Sequence, residues 1–439
     1  SAIALLVLPL VFTSCSDYLD RDDDDNITEA DVFARYEKVN GLVSDVYAAA
    51  KKADRPLVFF EHFSNSAITD ECEGTNVEGN ITNNFNNGAW NPNSLPGSVG
   101  QYWEALYEGI RKANLIIENV QKYNTPDNPQ QDGDLRNRIG EMYFMRGYFH
   151  MLLLRMYGEA PYIDRVINAG DNMDFKKESV HSMVEKIVTD AQTAYGMVPN
   201  KYVKTSENFG RVDKGACLGL ISFVRWVAAT PLWNGASQYG YNLRRVFENE
   251  YAYDATRWRK AKEAAKAVLD FEVGGTKRYS LYTKHDANDF KDPADGNLND
   301  SRVYARLWDM FYDMDAFANE YVFFMTKSKD QAWQGDIYPP SREGSSRQQP
   351  VQEQVDEYEY IVGDYGYPVY SAEARKGGYD DANPYVKGTR DPRFYRDIIY
   401  HGAPYRNNNN ESKIINTASG SDKIGATNAT TTGYYLRKF

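Results

Sequence analysis

The chain has 439 residues, 42% hydrophobic and 26% charged, proportions that argue against a disordered polymer and a polytopic helical membrane protein. With 50 basic against 62 acidic side chains the formal charge is -12, which repels phosphate backbones and argues against nucleic acid as a partner. Three cysteines and five histidines are too few for a disulfide framework or a repeated thiolate metal site, whereas 34 tyrosines point to aromatic surface used in binding.

Ser1 to Phe12 form an apolar run broken by Pro9, shorter than the roughly 18 residues that span a bilayer. The run reads as the h-region of a secretory signal whose first residues are expected upstream of Ser1. Phe12-Thr13-Ser14-Cys15 follows and resembles a bacterial lipobox, with cleavage before Cys15 and lipid attachment to its thiol; the alternative is an ordinary signal with an incidental cysteine. Residues 1–14 are therefore expected to be part of a lipoprotein signal. Residues 15–29, with Asp17, Asp20 and the run Asp22 to Asp25, are expected to form a solvated acidic tether. Acidic residues at this place resemble the surface-export signal of Bacteroidetes lipoproteins.

Residues 30–439 are expected to fold as one domain. Val32, Phe33, Tyr36, Val39, Val43, Val46 and Tyr47 recur at helical spacing and predict a helix from Ala30 to Lys52. Tyr102 to Tyr123 and Leu135 to Met156 predict two long amphipathic helices joined as a hairpin through Pro126, Asp127 and Gly133. Further helices are predicted from Ser179 to about Tyr195, Lys214 to Ala229, and Trp258 to Phe271. This succession suggests stacked helix-turn-helix units of the tetratricopeptide kind. Residues 54–100, 272–300, 328–350 and 363–430 are rich in Asn, Gly, Asp, Pro and Tyr without a sustained period, and long segments of that kind tend to be functional. Tyr321 to Met325 and Ile398 to Tyr400 are candidate short strands. The predicted fold is mostly α: a scaffold of helix pairs carrying long irregular loops and a few short strands.

The chain has no Gly-x-Ser-x-Gly elbow, His-Glu-x-x-His helix, Walker loop or dinucleotide fingerprint. Carboxylate pairs are too abundant to single out a glycosidase dyad, so no enzyme and no cofactor are expected. Asp292, Asp295, Asn297 and Asp300 form an oxygen-rich loop without the order of a calcium loop, and no metal is expected. Cys217 reads as a small core residue and Cys72 as a loop thiol without a catalytic partner.

Several stretches, taken in order, resemble the SusD/RagB family of outer-membrane nutrient-binding lipoproteins. They are Cys15-Ser16-Asp17-Tyr18-Leu19-Asp20; Tyr102-Trp103-Glu104-Ala105-Leu106-Tyr107 with Ile110, Ala113 and Asn114; and Glu141 to Tyr148 with Tyr157-Gly158-Glu159-Ala160-Pro161. Later come Gln352 to Asp356 with Tyr358, Arg390-Asp391-Pro392-Arg393-Phe394 before His401-Gly402, and Thr432-Gly433-Tyr434-Tyr435 with Arg437-Lys438-Phe439. The family's carboxy-terminal helices do not appear before Phe439, and extending the chain through them is expected to raise its melting temperature. The resemblance implies a helical, tetratricopeptide-like fold, a lipid anchor in the outer membrane and cell-surface exposure. It implies docking on a SusC-like TonB-dependent transporter and capture of oligosaccharide, or of peptide in the RagB branch, without catalysis.

A sugar offers an apolar face and a rim of hydroxyls, which calls for flat rings flanked by amides and carboxylates. Trp90, with Asn91 and Asn93 in the loop Asn83 to Asn93, matches that chemistry, and in the family this loop often supplies an aromatic platform; the alternative is a Trp packed under its own loop. Asp70 and Glu71 in the preceding loop are candidate acceptors for sugar hydroxyls. Trp333, with Tyr338 nearby, is a candidate second platform. Trp308 and Tyr312 read as a helix-packing pair, Trp103, Trp258, Trp226 and Trp233 as packing residues, and Arg146 as a paired structural charge.

Overall fold

The computed structural model describes residues 28–53, 63–75, 81–91, 93–123, 129–202, 207–235, 248–283, 310, 313, 319–325, 335–386, 388–406 and 412–437. Cys15, the acidic tether, Asp292 to Asp300, Trp308, Tyr312 and Trp333 lie outside these residues.

The amino-terminal helical stretch is two elements, α1 (Glu29–Phe33) and α2 (Tyr36–Ala53). Thr28 caps α1: its hydroxyl accepts from the Asp31 N–H at 3.2 Å while the Asp31 carboxylate accepts from the Thr28 N–H at 3.0 Å, a capping box. The chain turns at Ala34 and Arg35, and both Phe33 and Val39 end in the core. A short helix α3 (Ile81–Asn86) precedes α4 (Gly97–Tyr123) and α5 (Pro129–Tyr157), the expected hairpin. Next come α6 (Val180–Met197), α7 (Lys214–Ala229) and α8 (Ala255–Asp270), and from α4 onward each helix packs on its successor.

The stacking explains why α5 is not amphipathic in the simple sense. Besides Met142, Phe149, Leu152 and Leu153, it buries Phe144, Met145, Met151 and Leu154, because α2 and α4 cover one side of it and α6 another. Close approach depends on glycines. A Cβ on Gly109 of α4 would lie 2.5 Å from the Phe149 ring, and one on Gly140 of α5 would lie 2.7 Å from Met197 Cβ. Gly109→Val is accordingly expected to lower stability by about 2 kcal/mol through overpacking. The measurement is urea denaturation, in which adding Phe149→Leu should restore much of the loss; an unchanged midpoint in the single variant would contradict this packing.

Arg146, Glu141 and His150, buried inside the stack, are each hydrogen-bonded. Arg146 forms a two-pronged pair with Asp190, Nε to Oδ2 at 2.8 Å and Nη2 to Oδ1 at 2.5 Å, as expected of a paired structural charge. Buried Glu141 accepts from Arg211 at 2.9 Å, from the Tyr47 hydroxyl at 3.0 Å and from Tyr202 at 2.7 Å, and also pairs with Arg138. His150 lies between the Arg146 carbonyl, 2.8 Å from Nδ1, and the Ile163 N–H, which donates to Nε2 at 3.1 Å. Its Nδ1 therefore carries the proton, and its ring stacks on Tyr162 at 3.7 Å between centroids.

Burial pushes the His150 pKa down to about 3. The unfolded chain takes up this proton near pH 6.5 and the folded chain does not, so stability falls as pH drops from about 6.5 toward 3, by about 1.4 kcal/mol per pH unit at full slope. Urea midpoints between pH 7 and pH 5 should show this slope, and His150→Gln should reduce it; an identical slope in the variant would contradict the assignment.

The remaining elements are short. They are β1 (Cys72–Gly74), β2 (Glu272–Val273), β3 (Thr276–Lys277), β4 (Gln348–Pro350), α9 (Gln352–Asp356), β5 (Tyr360–Val362), β6 (Tyr365–Tyr367) and α10 (Ala372–Lys376). Then follow α11 (Pro392–Asp397), β7 (Ile398–Ile399), β8 (Pro404–Arg406), β9 (Ser412–Ile414) and β10 (Tyr435–Leu436). Among the described residues every sheet is two-stranded and antiparallel, and β1–β4 and β7–β10 are the non-local pairs that tie distant loops together. The architecture is mostly helical with a few short strands, as expected.

Several local expectations need correction. Ile398–Ile399 is a strand, but 321–325 is not: Phe323 inserts its ring edge-on against Phe144 and Tyr148, and Phe324 lies 5.0 Å from Phe209, so the apolar run packs on helices. Cys72 lies in β1, where burial pushes its thiol up to about 12. Cys217 is in the core. Trp103 and Trp233 pack against the core, but Trp226 is 51% and Trp258 43% exposed. Both lie on the α7–α8 end of the stack, where no later described helix covers the outer face.

Candidate functional site

The loops that carry Asp70, Glu71 and Trp90 form one local unit on the rim of the helical stack. A single turn at Asn65–Ile68 leads into β1, which pairs with β4 in the register Cys72 to Pro350 and Gly74 to Gln348. Gln348 reaches back across 284 residues, its Oε1 accepting from both the N–H and the hydroxyl of Ser64 at 2.8 Å. Gln349 does the same for the far end of the chain, accepting from the Thr431 N–H at 2.7 Å. Two buried amides on one short strand thus fix the 63–75 loop and the 430–433 turn to each other.

Trp90 lies between α3 and α4, half-buried, in a cluster with Phe63, Ala67, Ile68 and Val99. Phe85 meets its ring edge-to-face, 4.8 Å between centroids. The loop is held by its own backbone: Gly88, at φ 76°, donates to the Phe85 carbonyl at 2.9 Å, and Ala89 donates to Asn84 at 2.8 Å. Only a residue free of Cβ strain takes that φ easily. Asn86 donates its side-chain amide to the Ala67 carbonyl at 3.1 Å, joining the Trp90 loop to the Asp70 loop. Trp90 therefore combines packing under its own loop with partial exposure.

Asp70 and Glu71 are exposed at the start of β1, and the Glu71 carbonyl accepts from the Val351 N–H at 3.2 Å, which fixes the backbone while leaving the carboxylate in solvent. Asn91 and Asn93 are exposed; the Asn91 side chain accepts from the Asn93 N–H at 2.9 Å. Tyr338 is half-buried in a different cluster, 5.6 Å from Tyr405 and close to Ile399 and Ile415. It reaches β4 through a tight turn in which a Cβ on Gly344 would lie 1.9 Å from the Tyr338 carbonyl oxygen. The structure thus brings Trp90, Asp70 and Glu71 into one unit and seats Tyr338 in the neighbouring cluster.

Two residues join this unit that the sequence reading did not single out. Phe85 is 39% exposed beside Trp90; its signal was its place inside the same Asn-rich loop. Glu73 of β1 is half-buried, and desolvation pushes its carboxyl up from the ordinary range, partly opposed by a hydrogen bond with Asn86. Among the described residues no group of three or more His, Cys, Asp or Glu side chains is arranged to hold a metal ion, and no helix is long and apolar enough to cross a membrane.

Residues 17–224 match a family model described as SusD-like, starch-binding, associating with the outer membrane. This stretch, just under half of the chain, is similar to the SusD-like family. A curated relative, SusD-like protein P2 of Formosa agariphila, is 24% identical over 202 residues, 45% of this chain and 38% of the relative. The matched stretch thus spans well under half of that relative's length. Solved SusD-like structures extend the likeness of fold beyond the family match. A SusD-like protein from Bacteroides fragilis superimposes with a TM-score of 0.65 at 18% identity, covering 94% of this chain and 70% of that one. A second from the same species, described as a SusD-like carbohydrate binding protein, gives 0.65 at 14% identity over 93% of this chain and 68% of its own. At these identities the agreement concerns the fold.

Proposed function

We propose that this SusD-like protein captures oligosaccharides at the cell surface and delivers them to a SusC-like TonB-dependent transporter in the outer membrane, to which it is held by lipid on Cys15. The observation that carries the reading is the Phe85–Trp90 ring pair on a backbone-hydrogen-bonded loop, beside exposed Asn91, Asn93, Asp70 and Glu71. Partial ring exposure supplies an apolar stacking face, and the amides and carboxylates accept and donate to hydroxyls around it. The loop lies inside the stretch whose family model is described as starch-binding. Trp333 and Tyr338 are proposed as a second contact region, and no catalytic step is assigned to any residue.

The alternative is a peptide ligand of the RagB type, held along an unpaired strand edge. A panel of plant, fungal and host polysaccharides together with mixed peptides, run against the purified protein by calorimetry and affinity electrophoresis, separates the two. Saturable binding of at least one polysaccharide is expected. Binding of peptide with no response to any polysaccharide would contradict the glycan reading.

A further inference from the structure

A groove of about 660 Å³ opens between α5, α7 and α8, its lining sharing no residue with the Trp90 loops, within the range of about 300–1,000 Å³ typical of small-molecule sites. Phe144 and Phe323 form its floor, edge-to-face at 4.9 Å, and Phe223 and Leu269 its walls. Trp226 stands on the rim, 51% exposed, and Leu269 is 70% exposed. Large apolar side chains gathered around one concavity and left in water are unfavourable, and α8 buries only Ala261 among its described side chains. The polar lining is sparse: Ser222 and Arg155. Arg155 is exposed, lies 5.8 Å from the Phe223 ring and makes no ion pair among the described residues. The lining holds no carboxylate, although the chain carries 62 acidic residues.

We infer that this groove binds a small amphiphile with an apolar tail and an anionic head, the tail between Phe223 and Leu269 and the head at Arg155, as a medium-chain fatty acid would. Arg155 is the one cation in the lining and sets the charge of the head, and with Ser222 as the only other polar side chain in the lining there are too few hydroxyl-binding groups to ring a sugar here. This site is independent of the glycan reading, and either stands if the other fails.

The test uses the full chain with dodecanoate and dodecanol, each below its aggregation concentration, followed by calorimetry and by Trp226 fluorescence. One-to-one saturable binding of dodecanoate is expected. Arg155→Met should weaken dodecanoate about three- to fivefold, the size of an exposed ion pair, and leave dodecanol unchanged. Leu269→Ser, at an exposed position that folding does not require, should weaken both. Absence of saturable binding, an equal effect of Arg155→Met on the two ligands, or a dimer in light scattering that excludes dodecanoate would each overturn the inference.

Discussion

Asp190→Ala is expected to lower folding stability by about 3–5 kcal/mol, the usual cost of removing one partner from a buried ion pair. Asp190 is 5% and Arg146 6% exposed, so truncation leaves a guanidinium inside the stack with only neutral partners, the Asn114 side chain at 2.9 Å and the Asp164 carbonyl at 2.8 Å. The Tyr162 hydroxyl, which donates to Asp190 at 2.6 Å, loses its acceptor as well. These groups belong to α4, α5, α6 and the segment after α5, so the loss should appear as a shift of the whole urea transition rather than as local fraying. The double variant Arg146→Met with Asp190→Leu removes both charges together and should recover most of the loss. If the single and double variants were equally destabilised, packing rather than the uncompensated charge would be the cause.

The second large effect is expected at Arg390→Met. Arg390 is 2% exposed and donates to the carbonyls of Val355 at 2.6 Å and Tyr358 at 2.7 Å and 2.9 Å. It thereby closes the end of α9 against the segment before α11, with its guanidinium 4.8 Å from the Phe394 ring. Removing it takes the charged donor from both carbonyls, of which only that of Val355 keeps a long backbone bond, from the Tyr358 N–H at 3.4 Å, so a loss of about 2–4 kcal/mol is expected. Arg390→Lys should recover only part of this, because an ammonium cannot reproduce the fork that spans both carbonyls. Hydrogen exchange should show the loss concentrated in residues 352–400, with the amides of α4 to α6 still protected; uniform loss across the chain would contradict this division of labour.

The helical scaffold was legible because its signal is local. The apolar spacing in Lys214 to Ala229 gives α7 at its observed bounds, the spacing in α6 places that helix to within a turn, and α4 ends where expected but begins at Gly97, more than a turn before Tyr102. Periodicity reports which face is apolar but not what covers it. That is why Trp226 and Trp258 read as packing residues and are exposed in the structure, and why α5 read as one-faced although it is enclosed on several sides. The chemistry of the candidate site was legible as composition, in the Asn-rich loop around Trp90. Its assembly was not, since it depends on the pairing of Cys72–Gly74 with Gln348–Pro350 and on two buried glutamine side chains, contacts that no local pattern announces. Phe85 shows the same limit on a smaller scale: its partner is five residues away, but only the turn at Gly88 brings the rings together.

A glycan contact at the Trp90 loop is tested by Trp90→Ala in affinity electrophoresis against the polysaccharide that the native protein retains best. Trp90 packs in the small Phe63, Ala67 and Val99 cluster rather than in the main helical core, so the circular dichroism spectrum should be unchanged. Retardation by the polysaccharide is expected to fall at least tenfold, a loss of about 1.4 kcal/mol or more in binding free energy. Full retention of binding by a correctly folded Trp90→Ala variant would contradict a glycan contact at this loop.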